Sequence, residues 1–321
     1  MTRAVSPVPP SPRGGERRGE GKHLTAFGPG KVILLGEHGV VYGHPALAAA
    51  ISRGMRAWGV PSDSTSLEIP EGISAAHQEA LERAFARAAK QARHPKISVH
   101  LESQLPLSMG LGSSGALAVA VSRVLLEAKS GAPAKTKDVE ALALEMEKEF
   151  HGTPSGVDHT TSARGTMVLF KKGRATEVVA AKPVKVLVAM VGPRSSTKQT
   201  VGALRERQKR WPARYRRVFD QIGRLVGEGA AAARTGDLEA LGDVMNMNHG
   251  LLSALGLSSP QIEDMVYRLR GLGALGAKLT GAGGDGGAVI GLFREPEPTV
   301  MKLRAQGVDC FASQLAGPRA L

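Results

Sequence analysis

A single cysteine, Cys310, stands in the 321 residues, so the chain cannot close an internal disulfide. That scarcity fits a reducing compartment, and a cytoplasmic protein is expected. A lone thiol of this kind reads as a small buried hydrophobe before it reads as a nucleophile. No run of about 18 apolar residues exists, so no membrane-spanning helix is expected. The N-terminus lacks the apolar stretch of a secretory signal. Aromatic residues are sparse, at 4%. That matters where the basic residues concentrate. Arg194–Arg217 carries nine basic side chains and one acid, yet only Trp211 and Tyr215 interleave as rings for base stacking. On its helical pattern the segment reads as a solvated face that gathers small anions, and no nucleic-acid partner is expected.

What is present suits a soluble globular chain. Apolar residues make up 42%, and the length predicts about two domains with ample core. Net charge is +13. Residues 1–22 hold four prolines and no apolar periodicity, and read as a disordered basic tail.

The chain is organised around Pro106–Val119, P-L-S-M-G-L-G-S-S-G-A-L-A-V. Here a glycine-rich loop runs directly into an alanine-rich helix. Gly110, Gly112 and Gly115 remove side chains where a backbone must approach a bulky anion. Leu111 lies between the first two. Ser113 and Ser114 fall at the expected N-cap and first turn. The free N–H groups and positive dipole of a helix N-terminus favour phosphate. No lysine follows Gly115, which excludes the P-loop pattern. The match to G-x-G-x-x-G lacks the second buried strand and acid of a dinucleotide fold.

Two other stretches carry chemistry. Residues 24–52 contain G-P-G-K-V-I-L-L-G-E-H-G-V-V-Y-G-H-P-A-L-A. They read as two short apolar strands flanking a turn at Gly28–Gly30, then a helix from about Pro45. Lys31, Glu37 and His38 stand at strand positions from which charged groups reach a site. His151–Ala163, H-G-T-P-S-G-V-D-H-T-T-S-A, sets Asp158 after a tight turn, at the start of a short helix. Glu147 precedes it on a helix predicted over Thr136–His151. Near the C-terminus Lys278–Gly287, K-L-T-G-A-G-G-D-G-G, forms a second glycine loop.

The loop P-x-x-x-G-L-G-S-S-G, the K-V-I-L…G-E-H stretch, H-G-x-P-S-G-x-D and K-x-T-G-A-G-G together resemble the motifs of the GHMP kinases, in their order and spacing. The first stretch and the H-G-x-P-S-G-x-D segment are most similar to the family's mevalonate kinase branch. The resemblance implies an α+β, two-domain fold. Residues 23–182 would form an ATP-binding domain like ribosomal protein S5 domain 2, and residues 183–321 a ferredoxin-like domain. It implies transfer of phosphate from ATP to the primary hydroxyl of mevalonate, with Mg²⁺ as cofactor. Gly110–Gly115 would hold the ATP phosphates, with Gly281, Ala282, Gly283 and Gly284 in support. Ser114 and Glu147 would hold the metal, and Asp158 and Lys31 would act on the alcohol. Glu37, His38 and Thr197 would face mevalonate. Small-molecule substrates are the expected partners, and family members often pair as homodimers.

Two departures stay open. Asp285 stands where the family's third motif has glycine, beside an expected phosphate. The basic run at 194–217 also suits an already phosphorylated acceptor, which keeps a phosphomevalonate kinase in view. An inactive relative would lack Asp158, Lys31 or the loop serines, and all are present.

Overall fold

The structure, a computed structural model, describes residues 24–69, 74–106, 109–193 and 197–316. The expected basic tail lies outside these residues. A six-stranded sheet holds β1 (Leu24–Leu35), β2 (Ala46–Pro61), β3 (Ser66–Glu68), β4 (Ile97–Ser103), β5 (Met167–Lys171) and β6 (Arg174–Glu177). Its order is β3-β4-β2-β5-β6, with β1 also paired to β2. Four helices belong to this unit: α1 (Ala75–Gln91), α2 (Ser113–Ser130), α3 (Thr136–His151) and α4 (Val157–Arg164). Helix α2 lies against β1 and β2, and α3 and α4 pack around it.

A four-stranded sheet follows, in the order β10-β7-β9-β8. Its strands are β7 (Val184–Val191), β8 (Gly276–Thr280), β9 (Gly287–Phe293) and β10 (Cys310–Ala316). Every pairing is antiparallel. With the helices α5 (Thr197–Arg210), α6 (Pro212–Thr235), α7 (Leu238–Ala254) and α8 (Pro260–Gly271) between β7 and β8, and α9 (Glu297–Ala305) before β10, this is the ferredoxin-like order. The α+β architecture expected from the motifs is the one observed. Cys310 is buried in the second unit's core, as a small hydrophobe. Among the described residues no helix is long and apolar enough to cross a membrane.

Two local elements differ from the expectation. The two short strands around Gly28–Gly30 are one strand, β1, whose register against β2 breaks between Pro29 and Lys31 and between Ile33 and Leu35. The helix expected from Pro45 is strand β2. Ala46–Ala50 has good helix formers, but this part of β2 lies between β1 and β5, and these alanines are nearly inaccessible. Tertiary pairing overrides intrinsic propensity there. Helix α3 has the predicted bounds, and its N-cap is Lys135.

Candidate active site

The register break in β1 sits beside Lys31, and a bulge of this kind re-aims a side chain. The Lys31 ammonium reaches across to α4, 3.3 Å from Asp158 Oδ1. It also donates to the carbonyl of Gly110 at 3.1 Å. Lys31 is 5% exposed and Asp158 28%, so the pair lies where solvent reaches the carboxylate and barely the ammonium. Backbone reinforces the contact, for the Lys31 N–H donates to the Leu111 carbonyl at 2.9 Å.

The N-cap of α2 is Gly112, not Ser113, and it adopts the left-handed conformation with φ 69°. A side chain there would also meet Lys31 Cγ at 2.8 Å. Ser113, Ser114 and Gly115 then open the helix, and their N–H groups have no intrahelical acceptor. Gly115 is fixed by a close approach, since a Cβ would stand 2.9 Å from the backbone carbon of Asp158. The glycine loop and the acid therefore pack backbone to backbone.

Ser114 Oγ donates to Glu147 Oε1 at 2.8 Å and lies 3.0 Å from His151 Nε2. Glu147 is 2% exposed. Among the described residues only His151, at 3.8 Å, and His159, at 3.6 Å, come within ion-pair distance of it. A carboxylate so desolvated, without a lysine or arginine beside it, favours a cation.

These groups open on a cavity of about 410 Å³. Lys31, Gly110, Gly112, Ser113, Ser114 and Asp158 line its polar part, with His38, Gly281 and Ala282 from the facing loops. Met55, Leu81, Leu117 and Phe150 make an apolar part. The arrangement places a helix N-terminus and a carboxylate beside an ammonium around one space, with a second carboxylate, Glu147, buried behind the Ser114 hydroxyl that lines it. That is the equipment for moving a phosphoryl group onto an alcohol.

The sequence comparisons agree with this geometry. Residues 77–166 match the GHMP kinases N terminal domain, and residues 230–305 the GHMP kinases C terminal domain. Together these matches span more than half of the chain. The chain belongs to the GHMP kinase family. A curated mevalonate kinase of Aeropyrum pernix is 38% identical over 292 residues, covering 85% of this chain and 89% of that protein. One from Pyrococcus horikoshii is 34% identical over 298 residues, covering 83% and 87%. The crystal structure of L. major mevalonate kinase in complex with R-mevalonate superposes with a TM-score of 0.80 at 28% identity, covering 93% of this chain and 97% of that one.

Within this GHMP kinase the glycine loops divide their work. Leu111 is buried in the core and contributes its backbone to Lys31 rather than its side chain to the cavity. Gly281 and Ala282 face the cavity. Gly284 instead anchors the loop, its N–H donating to the Leu257 carbonyl at 2.9 Å, and Gly283 packs against the same carbonyl. Asp285 is exposed and absent from the cavity lining, so the family's glycine position is filled here by a carboxylate pointing outward. Ser259 Oγ donates to its backbone carbonyl at 3.1 Å.

The expectation for Glu37 needs correction. It is 1% exposed and does not line the cavity. Its carboxylate is engaged by the Lys278 ammonium and, at 3.2 Å, by Asn248 Nδ2. Burial pushes the Lys278 ammonium below the usual lysine range, against the opposing pull of Glu37. His38 does line the cavity, and its Nε2 donates to the Ala282 carbonyl at 2.9 Å. Burial lowers the His38 pKa. Thr197 begins α5, but its side chain lies outside the described residues. The motifs gave no notice of Lys278 and Asn248 as partners, or of Met55, His77 and Leu81 as cavity lining. On sequence alone the last three sit in an ordinary strand and an amphipathic helix. On α7, Met245 is buried in the core and Met247 is exposed.

Proposed function

We propose that this chain phosphorylates the primary hydroxyl of mevalonate with ATP, giving 5-phosphomevalonate and ADP. The observation that carries the reading is the Lys31–Asp158 contact at 3.3 Å, lying beside the open N-terminus of α2. The mevalonate kinase relatives support the choice of acceptor.

In this reading the ATP phosphates rest on the N–H groups of Ser113, Ser114 and Gly115, where the helix dipole stabilises anions. The apolar cavity wall of Met55, Leu81, Leu117 and Phe150 receives the base. Asp158 accepts the alcohol proton, or orients the hydroxyl so that an oxygen lone pair faces the γ-phosphorus. Lys31 holds Asp158 in place and offsets negative charge on the transferring group. Positioning and charge neutralisation are the main demands of phosphoryl transfer. His38 is the polar partner for the mevalonate carboxylate or tertiary hydroxyl, together with Thr197. Lys182–Pro183, between β6 and β7, is the boundary we assign between residues 23–182 and 183–321.

The Ser114 hydroxyl and the Glu147 carboxylate are hard oxygen donors 2.8 Å apart, a set that fits Mg²⁺. Bound there, the ion would neutralise phosphate charge. A homodimer acting in the cytoplasm belongs to the same reading, and light scattering of the purified protein measures the first of these.

ADP release in a coupled assay tests the function, with MgATP and either mevalonate or 5-phosphomevalonate. Turnover with mevalonate is expected. Turnover with the phosphorylated acceptor alone would transfer the reading to a phosphomevalonate kinase and give the basic 194–217 segment a substrate role.

A further inference from the structure

Lys278 lies on β8 in the second unit and is fully buried. An ammonium has three N–H donors and no acceptor. Here three acceptors meet it: the Glu37 carboxylate, the Leu279 carbonyl at 2.6 Å and the Ile33 carbonyl at 3.4 Å. Two of these belong to the first unit. Asn248, on α7 of the second unit, holds the other Glu37 oxygen at 3.2 Å. Next to Lys278, Thr280 Oγ1 accepts from the Ile33 N–H at 2.8 Å and donates to the Ile33 carbonyl at 3.1 Å. A few residues on, His38 donates to Ala282. Residues 33–38 are thus tied at several points to residues 278–282.

The consequence for the cavity is geometric. Ile33, His38, Gly281 and Ala282 line it, and Lys31 is two residues upstream of Ile33 on the same strand. Lys278, Glu37 and Asn248 do not line it. An apolar contact would hold the two units together without desolvating charge, but it would let them slide. A saturated ammonium admits one seating.

We propose that Lys278, with Glu37 and Asn248, is a positioning group: a buried ionic clasp that fixes the register between the β1 segment bearing Lys31 and the second glycine loop. The proposal rests on the phosphotransferase reading above. It assigns Glu37 to the clasp and not to the substrate. A displacement of about 1 Å in a reacting constellation lowers the rate roughly 100-fold, and the clasp sets that alignment.

The test uses the full chain and steady-state kinetics with MgATP and whichever of mevalonate and 5-phosphomevalonate the wild type accepts. Thermal midpoints are measured alongside. The variants are Lys278→Met, Glu37→Gln, Asn248→Ala and the double variant Lys278→Met/Glu37→Gln. Lys278→Met and Glu37→Gln are each expected to lower kcat about 100-fold, with KM for the acceptor changed less than about threefold. Asn248→Ala lowers kcat in the same direction and less. The double variant leaves no unpaired buried charge, so its Tm returns toward wild type while kcat stays low. Should Lys278→Met fail to fold, the double variant and Asn248→Ala carry the test. Recovery of kcat in step with Tm would reduce the clasp to a structural contact and overturn the proposal. A raised KM in Glu37→Gln with kcat intact would also overturn it, by returning Glu37 to the substrate. A wild type inactive with both acceptors would remove the functional reading and the clasp with it, and that failure is visible before any variant is compared.

Discussion

Lys31 Nζ and Asp158 Oδ1 stand 3.3 Å apart, one on a bulged strand and the other in the first turn of a short helix. Asp158 is not needed to fill the core around it, since it is 28% exposed, whereas Lys31 is buried. Asp158→Ala should therefore leave the fold intact and reduce kcat by about 10²–10⁴, the usual range for a positioned proton acceptor. Lys31→Met should lower kcat comparably while preserving most of its packing volume. Circular dichroism and single-turnover kinetics check the pair. Near-normal turnover in either variant would take that residue out of the mechanism.

Gly115 makes a sharper structural prediction. A Cβ there would meet the Asp158 backbone carbon at 2.9 Å and its Cβ at 3.0 Å, and backbone cannot swing aside as a side-chain tip can. Alanine is the better helix former by about 1 kcal/mol, so a helix argument alone predicts stabilisation. The contact predicts the reverse. Gly115→Ala should displace Asp158 and cut kcat at least tenfold, with Tm unchanged or lower. A more stable, fully active variant would mean that the two backbones do not pack as described.

Why the chemistry could be read from the sequence and part of the framework could not follows from locality. The glycine loop, Glu147, Asp158 and Lys31 lie in short stretches where residue type and spacing are set by the reaction. Ala46–Ala50 reads as helix because alanine carries little information about its partners. Its conformation is decided by β1 on one side and by β5 on the other. The family resemblance sets Glu37 with His38 at the substrate, yet its partner Lys278 is 241 positions away. No local pattern announces such a pairing. Asp285 was a legible departure, and its outward side chain explains why a carboxylate is tolerated in a phosphate-facing loop.

The Ser114–Glu147 contact predicts a split in metal dependence. Ser114→Ala removes a neutral oxygen donor, while Glu147→Gln removes the charge that favours a divalent cation. Both should raise the Mg²⁺ concentration needed for half-maximal turnover at fixed ATP, the glutamine variant more strongly. KM for mevalonate should move little in either. A metal titration with each variant reads this directly, and an unchanged Mg²⁺ requirement in Glu147→Gln would place the ion elsewhere.

His38 gives a pH dependence with a definite sign. Burial lowers its pKa from the ordinary 6.5, outweighing the opposing effect of its bond to Ala282. His249, buried beside Glu263, is shifted the same way by burial. In the unfolded chain each imidazole takes up a proton as the pH falls through about 6.5, while the folded chain resists until lower pH. The unfolded state then binds more protons, so stability is full above that value and declines below it. Tm should accordingly fall from pH 7.5 to pH 5.5. Replacing His38 by Asn, which retains a donor for the Ala282 carbonyl and cannot titrate, should flatten part of that slope. His249→Gln should flatten a further part, and a slope unaltered in both variants would assign the acid sensitivity to other groups.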